Sequence, residues 1–190
     1  QQIDLETGEL TGFEMLARWD SPRFGVVKPD AFIPIAEEIG AIGALSEGLI
    51  RKALADARGW HPGLTLSINI SPLQLRDPWF AQRLLKLLIE ANFPAERIEI
   101  EITESCLHEN LPLVRSLVAS LKNQGVKVSL DDFGTGYSSL AQLQNLPFDR
   151  IKIDRSFISG VVHDPDKASI VRSMAMLGQS LGLPITAEGI

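Results

Sequence analysis

Residues Ile98–Thr103 read Ile-Glu-Ile-Glu-Ile-Thr, with an apolar side chain at every second position. Successive side chains of a β-strand point to opposite faces, so this period predicts a strand with one apolar face and one polar face. The same alternation recurs in other short segments along the chain. The predicted strands are Gly12–Trp19, Thr65–Ile70, Ile98–Ile102, Lys127–Asp131, Arg150–Ile153 and Pro184–Ala187.

Longer segments between these strands have the apolar spacing of amphipathic helices. Gly125 and Gly182 follow two of them at positions typical of a helix C-cap, and Asn92 follows a third. Strands and helices that alternate in this way predict right-handed crossovers and a parallel sheet. The predicted helices are Ala44–Ala57, Trp79–Ala91, Leu111–Asn123, Leu140–Asn145 and Asp166–Leu181.

The polar face of every predicted strand favours a closed barrel. Parallel strands covered by helices on both faces are apolar throughout, whereas in a barrel the apolar faces contact the helices and the polar faces line the interior. An open sheet with one solvated face is the alternative, although it leaves no room for crossover helices on both sides. At the N-terminus, Ile3–Leu5 and the segment from Leu10 flank Thr7-Gly8, which predicts a hairpin. We therefore expect an α/β (β/α) barrel with an antiparallel first strand.

Composition limits the possible partners and compartment. The chain has 190 residues, 45% of them hydrophobic and 22% charged, which fits one globular domain. Its net charge of −6 argues against duplex nucleic acid as a partner. Cys106 has no second cysteine to pair with, and neither a membrane span nor a secretion signal is visible. We expect a cytoplasmic domain, within a full-length protein for which a membrane tether stays possible.

A set of polar residues lies near the carboxyl ends of the predicted strands, where (β/α) barrels place their active sites. Two carboxylates about 4 Å apart repel by about 4 kcal/mol at an effective dielectric constant of 20, so divalent cations would stabilise such a cluster. The ligands are oxygens, which favours Mg²⁺ or Mn²⁺ over zinc. The residues are Glu14, Arg18, Asn69, Glu101, Asp131, Lys152 and Glu188.

Each of these residues also has a structural interpretation. A single carboxylate at a strand end is more often an exposed residue or a helix cap than a ligand. The pair Asp131-Asp132 is compatible with a simple turn, and Lys152 with a structural ion pair. The agreement of side-chain parity and position across the predicted strands nevertheless favours a two-metal site.

Six motifs in this sequence resemble, in order, the signature segments of the EAL-domain cyclic di-GMP phosphodiesterase family. The resemblance covers essentially the whole chain. It implies a TIM-like barrel with an antiparallel first strand, and hydrolysis of cyclic di-GMP to the linear dinucleotide pGpG. The motifs are Gly12–Trp19 (GFEMLARW), Ser67–Ser71 (SINIS), Glu101–Glu104 (EITE), Asp131–Ser139 (DDFGTGYSS), Ile151–Asp154 (IKID) and Ala187–Gly189 (AEG).

The resemblance implies two Mg²⁺ or Mn²⁺ ions, with Ca²⁺ as an inhibitor. The implied metal ligands are Glu14, Asn69, Glu101, Asp131 and Asp132. Asp131 would contact both ions and therefore also counts as catalytic.

The other implied roles concern the attacking water, the substrate and a loop. Lys152 would position the water, and Glu188 would support the water shell of the second metal and assist proton transfer. Arg18 and Leu16 would bind the substrate. Glu104 would anchor the loop Asp132–Ser139.

Three features depart from the family pattern. Met15 replaces the alanine of the motif that names the family, and Gln1 stands where many relatives have proline. The chain stops at Ile190, whereas relatives continue with further site residues, a helix and a strand. We therefore expect residues 1–190 to form an EAL-type domain whose first strand is cut and whose C-terminal closing unit is missing.

Three functions remain open at this point. The leading hypothesis is an active phosphodiesterase in bacterial signalling, a homodimer in a full-length protein that carries other regulatory domains. The alternative is a catalytically silent cyclic di-GMP receptor, and the third is a protein interaction module. The last two predict losses among the metal ligands, and the sequence has none at the positions named above.

Overall fold

The computed structural model describes residues 1–109, 111–136, 143 and 145–189, and these fall into two compact units, Gln1–Glu99 and Ile100–Ile190. The described helices and strands of the first unit, with a 3₁₀ turn at Ala95–Arg97, are β1 (Gln2–Ile3), β2 (Leu10–Met15), β3 (Trp19–Ser21), β4 (Gly25–Val27), α1 (Pro29–Glu38), α2 (Ile42–Ala57), β5 (Thr65–Asn69), α3 (Pro72–Leu75) and α4 (Phe80–Ala91). Strand β6 (Ile98–Thr103) crosses the boundary, and the second unit continues with α5 (Cys106–Glu109), α6 (Leu111–Asn123), β7 (Lys127–Phe133), β8 (Arg150–Ile153), α7 (Arg155–Ile158), α8 (Pro165–Leu181) and β9 (Ile185–Ala187).

The first unit confirms the predicted N-terminal hairpin. Strand β1 pairs with β2 in the antiparallel sense, and the Asp4 carboxylate closes the turn by accepting hydrogen bonds from the backbone N–H groups of Glu6 and Thr7. Strand β2 then runs parallel to β5, and this ladder ends at the pair Met15 and Ile68. Asn69 is therefore the first residue of β5 beyond its ladder with β2.

The second unit confirms the predicted parallel strands. Strand β8 pairs in parallel with β7 on one side and with β9 on the other. Apolar residues of these strands, such as Val128 and Ile151, are fully buried. The intervening polar residues Ser129 and Lys152 are buried as well, so these strands have a polar buried face in addition to their apolar one.

The helix ends predicted from sequence are confirmed. Asn92 and Gly182 adopt left-handed backbone conformations, with φ of 50° and 68°, directly after α4 and α8. Gly125 has φ of 85° two residues beyond the end of α6. The predicted helix Leu140–Asn145 falls mostly outside the described residues. Among the described helices, none combines the length and apolarity needed to cross a bilayer.

The segment Gly12–Trp19 was wrongly predicted as one continuous strand. Strand β2 ends at Met15, and Trp19 begins a separate hairpin in which β3 pairs with β4. Helix α1 was not predicted at all, because Pro34 lies inside it and proline normally interrupts a helix. After the end of β2, the chain therefore forms a hairpin and a helix that its apolar periodicity does not predict.

Candidate metal centre

Lys152 of β8 lies at the centre of a buried cluster of carboxylates in the second unit. Its Nζ atom is 2.7 Å from Glu101 Oε2, 3.2 Å from Asp131 Oδ1 and 2.6 Å from Glu188 Oε1. The side chains of Lys152 and Glu101 are 2% and 0% exposed, and that of Glu188 is 25% exposed. The cluster therefore has a closed interior and one member open to solvent.

Strand register brings these residues together. Lys152 pairs with Thr186, and since side chains two positions apart share a face, Glu188 follows on the same side of the sheet. The Glu188 N–H donates to the carbonyl of Ile153, which extends the contact between β8 and β9 beyond the last residue of β9. Glu101 and Asp131 each lie two residues before the end of their strand and Glu188 directly follows β9, close to the strand ends at which (β/α) folds assemble functional sites.

The electrostatics of the cluster keep Lys152 charged. Burial is the largest single influence and lowers its pKa, but the charges of Glu101 and Asp131, with the hydrogen bonds that Lys152 donates to Glu101 and Glu188, outweigh burial and raise the pKa above its ordinary value. One ammonium thus faces three carboxylates. The excess negative charge would be stabilised by added cations.

Asp131, Asp132 and Glu188 form a group that fits a divalent cation. Each offers a carboxylate oxygen, and these oxygens all lie within 4.8 Å of one another. A donor set made of oxygens suits Mg²⁺, Mn²⁺ or Ca²⁺. The residues present therefore match the metal type that the sequence predicts.

The backbone at Asp132 is unusual and turns the strand at this point. Its φ is +54°, a left-handed conformation that few residues other than glycine, asparagine and aspartate adopt. The pairing of β7 with β8 shifts register between Leu130 and Phe133, on either side of it. The Asp132 N–H donates to Asp131 Oδ1 at 2.9 Å, so the local fold orients the first carboxylate of the pair.

Glu104 holds the turn that follows the paired aspartates. Its Oε2 atom accepts hydrogen bonds from the backbone N–H groups of Gly134 at 2.9 Å and Gly136 at 3.1 Å, and its own N–H donates to the Asp131 carbonyl. These contacts agree with the predicted loop anchor as far as Gly136. The loop positions Tyr137, Ser138 and Ser139 lie outside the described residues, and the anchoring role stays a prediction.

Gly134 packs against the helices that follow β8. It has φ of +101°, and a Cβ atom there would lie 2.4 Å from Met174 Cε and 2.9 Å from Phe157 Cε2. A residue with a side chain would meet both backbone strain and a steric clash. The turn after Asp132 is therefore fixed by Glu104 on one side and by apolar side chains on the other.

The first unit holds the two remaining predicted metal ligands. Asn69 follows the ladder of β5, and its Nδ2 atom donates to Glu14 Oε1 of β2 at 2.7 Å. This contact is exposed to solvent, unlike the lysine cluster. The structure places the two predicted ligands side by side, while their metal-binding role stays a prediction.

The predicted substrate-binding residues follow β2. Leu16 is 52% exposed, and Arg18 is exposed and donates to the carbonyl of its neighbour Ala17 at 2.8 Å. A cavity of about 220 Å³ adjoins Arg18, lined by Ala17, Arg18, Trp19, Phe32, Leu45 and Leu49. Both side chains are accessible to a ligand, and their role stays a prediction.

The sequence analysis missed a contact beside Asn69. Ser71 Oγ donates a hydrogen bond to Glu37 Oε1 of α1. Positions 37 and 71 are far apart in the chain and α1 was not predicted, so no local pattern links them. The Ser71-Pro72 dipeptide is typical of a helix start, and this signal alone was present in the sequence.

The comparisons with known proteins concern the family to which the chain belongs. The chain matches the EAL domain family over residues 1–190. It is 45% identical over 184 residues to an uncharacterized signaling protein of Caulobacter vibrioides, a match that covers 96% of this chain and 23% of that protein. It is 40% identical over 186 residues to the cyclic di-GMP phosphodiesterase PdeR of Escherichia coli, a match that covers 96% of this chain and 28% of PdeR.

The fold of the chain is similar to that of a solved structure. The PaMucR phosphodiesterase, in its c-di-GMP complex, has a TM-score of 0.92 and 34% sequence identity, covering 100% of this chain and 78% of that chain. This similarity confirms the predicted TIM-like α/β fold with an antiparallel first strand. The chain spans about a quarter of the length of the curated relatives described above. The family match over residues 1–190, together with the identity to PdeR, shows that the chain belongs to the EAL domain family.

Proposed function

We propose that this chain is a divalent-cation-dependent phosphodiesterase that hydrolyses cyclic di-GMP to pGpG. The observation that carries the proposal is the buried Lys152, with its Nζ atom in contact with three carboxylates. The identity to PdeR and the similarity to PaMucR in its c-di-GMP complex support the choice of substrate.

The proposed metal ligands are three carboxylates of the second unit and the exposed pair of the first unit. When bound, Mg²⁺ or Mn²⁺ supplies positive charge that stabilises the phosphodiester in the transition state and makes water more acidic. Two ions are proposed, as in the sequence-based expectation. Their ligands are Glu14, Asn69, Glu101, Asp131 and Asp132.

Lys152 and Glu188 act on the attacking water in this proposal. Lys152 stays an ammonium because its pKa is raised, so it donates hydrogen bonds and orients the water rather than acting as a base. Glu188 is the most exposed carboxylate around Lys152, which suits it to accept the water proton and pass it to solvent. The water oxygen bonds to phosphorus and the bond from phosphorus to O3′ breaks, since pGpG keeps the phosphate on its 5′ end. The leaving O3′ takes a proton from solvent and becomes a hydroxyl group.

The remaining roles concern substrate and assembly. The Arg18 guanidinium is suited to a phosphate oxygen, and Leu16 offers an exposed apolar contact beside it. Glu104 keeps the turn after Asp132 in place. We also propose a homodimer, which the family resemblance implies. Regulation by other domains is proposed because the chain covers only 23–28% of the curated relatives compared above.

The test is a chromatographic assay of cyclic di-GMP loss beside a binding titration, each with Mg²⁺, Mn²⁺, Ca²⁺ or a chelator. We expect pGpG with Mg²⁺ or Mn²⁺, and binding with little cleavage with Ca²⁺, whose larger and looser coordination shell positions water less well. Tight binding without pGpG in any metal would assign the chain to the receptors. Neither binding nor cleavage would leave only an interaction module.

A further inference from the structure

We propose that Glu37 is a positioning residue for Asn69 and that it acts through the hydroxyl group of Ser71. The inference rests on the proposed function, in which Asn69 is a metal ligand, and goes beyond it by adding a residue from α1. Glu37 itself does not contact Asn69 or Glu14 among the described contacts. Its effect would reach the ligand through the backbone that follows β5.

Asn69 needs support from the residues that follow it. The ladder of β2 with β5 ends at the pair Met15 and Ile68, one residue earlier. The next residue, Ile70, is buried in the core at 4% exposure, whereas the exposed amide of Asn69 donates to Glu14 and depends for its further support on the backbone that follows. The direction in which the chain leaves β5 therefore depends on Ser71.

Ser71 is held by contacts on both of its polar groups. Its hydroxyl oxygen accepts from the N–H of Leu73, and its own N–H donates to Gln74 Oε1 at 3.1 Å, which together form a capping box at the start of α3. The hydroxyl proton is then available for a single further partner, and it is donated to Glu37 Oε1. This contact ties the end of β5 to helix α1.

Glu37 is placed where a carboxylate does not stabilise its own helix. It lies in the last turn of α1, and that turn contains no basic residue. Negative charge near a helix C-terminus is unfavourable because of the helix dipole. The hydrogen bond from Ser71 provides a reason for a carboxylate at this position, and Glu38, next to it and exposed, has no described contact with α3 or β5.

The contact between Glu37 and Ser71 can be tested with matched variants. Glu37→Ala and Ser71→Ala each remove one partner, whereas Glu37→Gln keeps an oxygen acceptor and Ser71→Thr keeps a hydroxyl. Glu38→Ala is the matched control, because it removes the same charge from the same turn. The first readout is Mn²⁺ affinity by calorimetry, and the second is the position of the Asn69 side-chain amide resonances in the metal-free protein, identified by their loss in Asn69→Ala.

We expect Glu37→Ala and Ser71→Ala each to weaken Mn²⁺ binding about tenfold, the low end of the range for outer-shell partners. Both should shift the Asn69 amide resonances, and the double variant should be no worse than Ser71→Ala, which already removes this contact together with the α3 cap. The Glu37→Gln, Ser71→Thr and Glu38→Ala variants leave the contact between residues 37 and 71 in place. Their Mn²⁺ affinity should therefore stay within about twofold of the wild type, below the roughly tenfold loss that marks a missing outer-shell partner.

Two results would overturn the inference. Either Glu37→Ala behaves like Glu38→Ala in both readouts, or Glu37→Gln is as damaging as Glu37→Ala. Failure of the proposed function has a different signature: Asn69→Ala would then bind Mn²⁺ like the wild type. In that case the amide resonances, recorded without metal, still decide whether Glu37 positions the Asn69 side chain.

Discussion

In the first unit, Asn69 meets Glu14 through a solvent-exposed hydrogen bond, whereas in the second unit Glu101, Asp131 and Glu188 surround a buried ammonium. The first arrangement can adjust, because water competes for each group. The second cannot lose its cation without leaving buried charges unpaired. The geometry of the buried cluster is therefore set by folding, whereas the exposed pair can still rearrange when a ligand binds.

The largest effect is expected from Asp131→Asn, which removes a buried charge and keeps the shape of the side chain. Turnover of cyclic di-GMP should fall by more than about a hundredfold, since even outer-shell partners of a metal cost about 10–100-fold. Substrate binding should fall less, because Arg18 and Leu16 are unchanged. The measurement is pGpG formation beside a binding titration, and near-normal turnover would show that Asp131 is not a metal ligand.

Lys152→Met tests the buried part of the comparison through stability. Removing one partner of a buried ion pair costs about 3–5 kcal/mol of unfolding free energy, and here three carboxylates lose their cation. Added Mg²⁺ should recover part of the loss, which urea unfolding with and without the ion would show. Lys127→Met is the control, since Lys127 begins β7 in the same unit and has no described ion pair. Equal losses in the two variants would contradict the comparison.

Gly134→Ala tests how rigid the second unit is beside Asp132. Backbone strain at φ of +101° and the contact with Met174 should together cost about 2–3 kcal/mol. Gly160→Ala separates the two causes, because Gly160 has φ of +79° but no atom within 4 Å of its Cβ position. Thermal unfolding of both variants gives the difference, and equal destabilisation would mean that the turn yields to the added methyl group.

Met15→Ala is expected to have a moderate effect that is confined to stability. Met15 is half-buried, so the loss should be about 1–2 kcal/mol, below the range for fully buried methionines. Its side chain points away from the face that carries Glu14, so turnover per folded molecule should not change. If the variant lost Mn²⁺ binding, the assignment of faces on β2 would be wrong.

The smallest change in stability is expected for Asn69→Ala. The hydrogen bond to Glu14 is exposed, and such bonds contribute about 1 kcal/mol or less. Mn²⁺ affinity should nevertheless drop, because a proposed ligand is lost. A calorimetric unfolding scan next to a metal titration would separate the two effects, and a large loss of stability would show that the exposed contact is as fixed as the buried one.

Much of the architecture could be predicted because strand parity is a local property. The alternation in Ile98–Thr103 gave both the apolar face and the position of Glu101, and left-handed caps at Asn92 and Gly182 followed from residue type. The end of β2 was mispredicted because the apolar alternation continues past Met15 into a segment that forms no strand. Periodicity describes which face a residue would take, and does not say where the pairing stops.

The candidate site was predictable in composition and less so in geometry. Strand parity placed Lys152 and Glu188 on one face, and the structure brings them to 2.6 Å. The contact of Glu37 with Ser71 was out of reach, because it joins an unpredicted helix to a residue far along the chain. The left-handed backbone at Asp132 was also missed, since aspartate occurs in many conformations and only the register shift beside it reveals this one.

The left-handed backbone at Asp132 limits which residues can replace it during evolution. Residue 132 must tolerate φ of +54°, and asparagine shares with aspartate the ability to adopt it at low cost, whereas alanine does not. A lineage that abandons catalysis but keeps the fold would therefore be expected to pass first through asparagine or glycine at this position. In laboratory variants, Asp132→Asn likewise removes only the charge. Asp132→Ala removes the charge and also strains the backbone of the turn, so its effects have two causes.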